Sequence, residues 1–246
     1  MLRAWLLIAL VLPACGDDDD APPDATIPDA TVPDVEVPVI DAAPPDAPGP
    51  CAGQLLFHGD YVEWDSTDLD FTGMCSADLV EVGNKTNTSE TAPNGRGVLC
   101  LPPGADADVR YAGGAPSPNC TDDLALTMLF AVDADVAAIG PFTARGLTTA
   151  RADTLIVDEL GLGSRDVTDA IVIVDLGVTG GTVDIDATYE QSFVLPDGVR
   201  TLFANVDPTG GTTTATVTPP GGMICDGRAT LTLQANAISF ANYACE

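Results

Sequence analysis

Five carboxylates fall within eleven residues at Asp60, Glu63, Asp65, Asp68 and Asp70. Hard oxygen donors at that density are the ligands Ca²⁺ takes in an extracellular setting. The spacing does not follow the loop of an EF-hand, and a solvated acidic loop accounts for the same string without any ion. Asp133 with Asp135, and Asp184 with Asp186, are weaker versions: alternate residues that would share one face of a strand. His58 is the one histidine. A zinc site on paired histidines and a His–His relay are therefore excluded, and with no partner motif beside it a structural role is the simpler reading of His58.

Nucleophile and nucleotide motifs fail on inspection. Gly161-Leu162-Gly163-Ser164-Arg165 lacks the closing glycine of a nucleophile elbow, and Asp166 stands where a dinucleotide fingerprint needs its last glycine. Lys85, the single lysine, sits in Gly83-Asn84-Lys85-Thr86-Asn87, which reads as a turn rather than a phosphate loop. A glycosidase-type carboxylate pair stays open in so acidic a chain. Apart from Trp5, however, Trp64 is the only tryptophan to stack on a sugar. No catalytic set assembles, and the expectation is a non-enzymatic protein.

The charge balance closes off further classes. Nine Lys+Arg oppose 37 Asp+Glu in 246 residues, a net charge of −28. Nucleic acid needs a cationic surface this chain cannot supply, and nucleotide binding has no motif. Ten of the acids lie in residues 16–50, which leaves 27 against eight cations in residues 51–246.

The N-terminus explains the seventh cysteine. Arg3 is followed by the apolar run Ala4-Trp5-Leu6-Leu7-Ile8-Ala9-Leu10-Val11-Leu12, too short for a permanent membrane span, and then by Pro13-Ala14-Cys15-Gly16. This order resembles the lipobox of bacterial lipoproteins. The resemblance implies cleavage after residue 14 and acylation of Cys15, with each buried CH₂ contributing roughly 0.8 kcal/mol to membrane attachment. Gly16 is not the aspartate that retains many such proteins in the inner membrane. Asp17 to Asp20 look like a surface-export signal of some Gram-negative groups, and equally like a solvated charge run. The resemblance thus implies a cell-envelope address, at the outer membrane and surface-exposed, with the membrane as partner through the acyl chains.

The elements that would carry these groups begin with a stalk. Prolines recur at Pro23, Pro28, Pro33 and Pro38 and continue to Pro50. That spacing forbids a helix or a central strand and predicts a disordered, polyproline-like spacer. Its roughly 35 residues would reach on the order of 100 Å.

Beyond it, Cys51, Cys75, Cys100, Cys120, Cys225 and Cys245 make an even set, read as three disulfides in an exported chain. Cys225 is expected to pair with Cys245, because no other cysteine lies within a hundred residues of either; the first four would pair among themselves. Tyr61–Trp64, Asp78–Val82 and Val98–Leu101 alternate as short strands, and Ala170–Leu176 is a nearly continuous apolar run typical of a buried strand. The i+4 series Leu147, Arg151, Leu155, Glu159 predicts a short helix, capped by Thr148 or Thr149 and ended by Gly161.

Residues 94–114 and 197–222 share an order of features: an Asn-Gly or Asp-Gly turn, a short strand, a proline-glycine turn, an alternating strand and Gly-Gly. This reads as a duplicated hairpin. Thr91-Ala92-Pro93-Asn94-Gly95-Arg96 with Leu101-Pro102-Pro103-Gly104, and again Leu202–Pro208 with Gly210, resemble the carboxypeptidase-regulatory-like or prealbumin-like β-sandwich. In the first copy Gly97 stands where that family has an aromatic. The whole layout also resembles the Pro-Asp-Ala-stalked lipoproteins of myxobacteria and relatives.

The expectation is a mostly β chain: a signal peptide over 1–14, a lipidated cysteine and linker over 15–50, and two tandem sandwich units over 51–122 and 168–246. The short helix would sit in a connecting segment, 123–167. The family resemblance implies a spacer, adhesion or carbohydrate-associated module with a protein or carbohydrate partner and no catalytic residues. A Ca²⁺-dependent binding domain and an acidic-pair hydrolase are the alternatives.

Overall fold

Short β-branched and aromatic runs, broken by Gly, Pro, Asn and Asp, favour strands over helices, and the chain is mostly β. The computed structural model describes residues 51, 53–66, 72–83, 88–133 and 142–246. The expected signal segment, Cys15, the expected stalk, Asp68, Asp70, Lys85 and Asp135 lie outside these residues.

In chain order the first strands are β1 (Leu55–Glu63), β2 (Met74–Cys75), β3 (Asp78–Glu81), β4 (Thr88–Glu90), β5 (Arg96–Leu101), β6 (Ala107–Gly113), β7 (Ala115–Pro116), β8 (Ala125–Val132) and β9 (Phe142–Gly146). A helical segment follows, α1 (Thr149–Thr154) continued by a π turn, Leu155–Glu159. Then come β10 (Ala170–Asp175), β11 (Thr182–Ile185), β12 (Tyr189–Val194), β13 (Arg200–Val206), β14 (Thr212–Thr218), β15 (Cys225–Asp226), β16 (Thr230–Thr232), β17 (Ala237–Asn242) and β18 (Ala244–Cys245).

The main body is an eight-stranded sheet in the order β12-β13-β10-β17-β8-β6-β3-β4. The expected boundaries at 122 and 168 do not interrupt it. Strands of residues 78–132 and 170–242 lie side by side, joined where β17 pairs in parallel with both β8 and β10. Three-stranded sheets, β5-β1-β9 and β11-β14-β16, complete the two cores. The two units anticipated from the cysteine groups therefore correspond to two cores on opposite faces of one shared sheet. The expected sandwich packing of sheet on sheet is present, and because both cores use the same central sheet it has three layers.

Alternation along the central strands shows this directly. Ile171 and Ile173 of β10 join Leu202, Phe240, Met128 and Phe130 in a core that also takes Phe57 and Leu99 from β1 and β5. Val172 and Val174 point the other way, into a core with Phe203, Ala215 and Leu231. A strand covered on both faces needs apolar residues at every position, which is why Ala170–Val174 reads as a continuous run. Phe57, Phe130 and Phe240 form an aromatic column through the first core, with ring centroids 6.0 and 5.6 Å apart. The halves are also tied by polar contacts. Arg228 Nη1 donates to Asp108 Oδ1 at 2.9 Å, and Thr232 Oγ1 to Asp108 Oδ2 at 2.8 Å.

Cys51–Cys100, Cys75–Cys120 and Cys225–Cys245 are bonded. The last closes the β15–β18 pair, and the first four pair among themselves as the sequence requires. The helix starts and stops where its signals stand: Thr148 accepts from the Arg151 backbone N–H, and Gly161 follows with φ +75°.

The two repeat segments are not hairpins. β5 pairs with β1, whereas β6 pairs with β3 and β8; β13 pairs with β10 and β12, whereas β14 pairs with β11 and β16. Each segment crosses between layers at its proline-glycine turn. The hairpin that Asp197-Gly198 does close is β12–β13, with the Gly198 N–H donating to the Leu195 carbonyl at 2.8 Å. Packing favours glycine at Gly97: a Cβ there would stand 2.3 Å from Leu79 Cδ2, so a larger side chain would have to displace that buried leucine.

Candidate functional site

The acidic string does not converge on one point among the described residues. Asp60, in β1, is 3.3 Å from Arg96 Nε. Asp65, just past β1, receives a two-pronged contact from Arg151, Nε to Oδ2 at 2.6 Å and Nη2 to Oδ1 at 2.9 Å. Glu63 is half-buried at the end of β1. No group of three metal-ligating side chains exists among the described residues. His58 is half-buried in β1 opposite Val98.

Several other aspartates make local structural bonds. Asp166 accepts from the backbone N–H and hydroxyl of Thr168, Asp207 from the Thr209 N–H, and Asp186 from Thr213 Oγ1 and the Thr214 N–H. Asp184 accepts from the Tyr189 hydroxyl at 3.1 Å. The bonds of Asp166 and Asp207 are the turn-forming kind that short acidic side chains make with nearby backbone, whereas Asp186 ties its loop to β14.

The described residues do bring together one set of groups that spacing does not announce. A cleft of about 570 Å³ opens beside the end of β1, with walls from Trp64, Asp65 and Ser66, Arg145 of β9, the helical segment, Asp175 at the end of β10, and the β12–β13 turn. Three of the eight cations in residues 51–246 line it: Arg145, Arg151 and Arg200. They come from β9, α1 and β13, elements ordered by the two sheets and the Thr148-capped helix.

Each guanidinium is oriented by the protein. Arg145 Nη1 donates to the Trp64 and Ser66 carbonyls at 3.2 and 2.6 Å, bracing the chain as it leaves β1. Arg151 holds Asp65, and its Nη1 lies 2.7 Å from Glu159 Oε1 in an ion pair that is not aligned as a hydrogen bond. Arg200 packs its Cζ 4.6 Å from the centre of the Trp64 ring and donates from Nε to Asp197. Its Nη1 is buried and meets no hydrogen-bond acceptor among the described residues.

The carboxyls differ accordingly. The Arg151 hydrogen bond holds Asp65 below its ordinary range, against partial burial. Asp197 is pushed up by burial, but the Val199 N–H and the Arg200 side chain outweigh that and leave it lowered. Asp175 is raised, because burial outweighs the hydrogen bond its Oδ1 accepts from the Gly177 N–H. Leu155, Leu195, Pro196 and Val199 supply apolar wall between these groups.

Among the described residues of the acidic string, Asp65 is the one that reaches this cleft. Of the three arginines the sequence marks only Arg151, as a position in the helical i+4 series, though their scarcity is a usable signal: with eight cations in residues 51–246, each one must answer a local need. Fold and site together define a disulfide-stapled, three-layer β protein with a polar, arginine-lined cleft. Compared with known proteins, the chain matches no family model and no curated sequence.

Proposed function

We propose that this chain is a lipid-anchored cell-envelope protein that displays a disulfide-stapled β domain on an extended stalk, as a non-enzymatic adhesion or interaction module. The observation that carries the reading is the order Leu12-Pro13-Ala14-Cys15 after a basic residue and an apolar run, followed directly by the proline-rich spacer. Acyl chains on Cys15 would hold the protein at the outer membrane, and the spacer would carry the domain to a protein or carbohydrate partner. The three disulfides support an oxidising compartment. The resemblance to prealbumin-like modules supports a binding rather than a catalytic role. So does the cleft, where Asp65 and Glu159 are both held by Arg151 and Asp197 by Arg200.

The test is metabolic labelling with palmitate in a Gram-negative host, comparing the parent chain with Cys15→Ala. The label should enter the parent and be absent from the variant, which should leave the membrane fraction. A Cys15→Ala protein that stays membrane-bound would sink the proposal.

A further inference from the structure

We infer that the arginine-lined cleft is a binding site for a small organic carboxylate with an apolar body. Three observations lead there. First, a chain with a net charge of −28 places three of its eight folded-part cations in one cleft. Asp65, Glu159, Asp175 and Asp197 line the same cleft; Arg151 holds the first two, and Asp197 takes only the Nε edge of Arg200.

Second, Arg200 Nη1 in this cleft is buried and has no hydrogen-bond acceptor among the described residues, whereas Arg151 Nη1 already lies 2.7 Å from Glu159 Oε1. A buried donor without an acceptor is costly, and charge-assisted bonds to an incoming oxygen are the strong ones. The Arg200 fork is also preset. Trp64 supports one face of the guanidinium and Asp197 fixes Nε, so little side-chain freedom is left to lose on binding.

Third, the rest of the lining suits the rest of such a ligand. Leu155, Leu195, Pro196 and Val199 offer an apolar surface beside the guanidinium groups, and about 570 Å³ accommodates a monosaccharide acid or an acylated amino acid. A fully ionic ligand such as inorganic phosphate would leave that surface unused. The negative charge of the whole protein repels anions at long range, so selection must come from these short contacts.

This inference does not depend on lipidation: failure of binding would leave the anchoring proposal standing, and the reverse holds too. The test uses the full chain purified in detergent and ligand-observed NMR with two matched pairs, glucuronate against glucose and N-acetylleucine against its amide. At least one carboxylate should bind with a millimolar or lower Kd while its neutral partner does not; the pair that responds tells a sugar acid from an amino-acid carboxylate. Arg200→Gln should weaken that binding at least tenfold. Arg200→Lys, which keeps the charge but loses the fork, should fall between and guards against a fold defect in the first variant. Arg110→Gln, outside the cleft, should leave binding unchanged. The inference is overturned if no carboxylate binds at 10 mM (roughly the weakest affinity worth calling a site). Equal binding of the neutral partners, preference for inorganic phosphate, or indifference to both Arg200 variants would overturn it as well.

Discussion

Replacing Phe240 by alanine tests whether the two halves of the chain form one cooperative body. Phe240 is fully buried in β17, the strand that pairs with β8 on one side and β10 on the other, and its ring stacks on Phe130 at 5.6 Å. Truncating such a ring removes its transfer energy and leaves a cavity, at about 3–5 kcal/mol. For a domain near 200 residues that corresponds to a Tm lower by roughly 10 °C. Differential scanning calorimetry is the assay. With one shared sheet, a single transition should move as a whole, and the loss should also be reported by groups in the first half, such as the Trp64 fluorescence. Two tandem sandwiches would behave otherwise, with two transitions of which only the later-sequence one moves. Two resolved transitions, or a shift below about 2 °C, would refute the shared-sheet reasoning.

Three further outcomes follow from the structure. Asp175 is raised by burial, so its ionised form opposes folding above the raised value, and that penalty fades as pH falls toward the unfolded value; Asp175→Asn should raise Tm at pH 7 and lose its advantage by pH 4, in melts across that range. Removing Cys225–Cys245 as a double serine variant frees a loop of sequence separation 20 and should lower stability by about 3 kcal/mol in denaturant titration, while the other two disulfides persist by mass mapping. Gly97→Phe should overpack Leu79 in the first core and lower stability by about 1–3 kcal/mol or more, whereas Gly163→Ala, with open space at its Cβ, should change it little.

What the sequence disclosed is what local chemistry controls. The continuous run at Ala170–Leu176, the Thr148 cap and Gly161 stop, and the division of six cysteines into a group of four and a pair each depend on residues close together in the chain or on isolation from all others. The shared sheet depends on β8 meeting β17, with Met128 opposite Ile238, a pairing across more than a hundred residues that no local period encodes. The repeat segments misled for the same reason: a turn signal marks where the chain reverses, not which strand it then joins. The cleft is non-local too, since Trp64, Arg145, Arg151 and Arg200 arrive from four elements. Of the acidic string, spacing singled out the carboxylates, but Arg96 and Arg151, distant in sequence, set what Asp60 and Asp65 do.

The address assigned to the protein turns on one residue. Intact-mass and N-terminal peptide mass spectrometry of the chain recovered from bacterial membranes tests it most directly. The proposed account requires a mature N-terminus at Cys15 carrying acyl chains, with residues 1–14 removed. A chain that begins at another residue, or that carries Cys15 as a free thiol or in a disulfide, would contradict it.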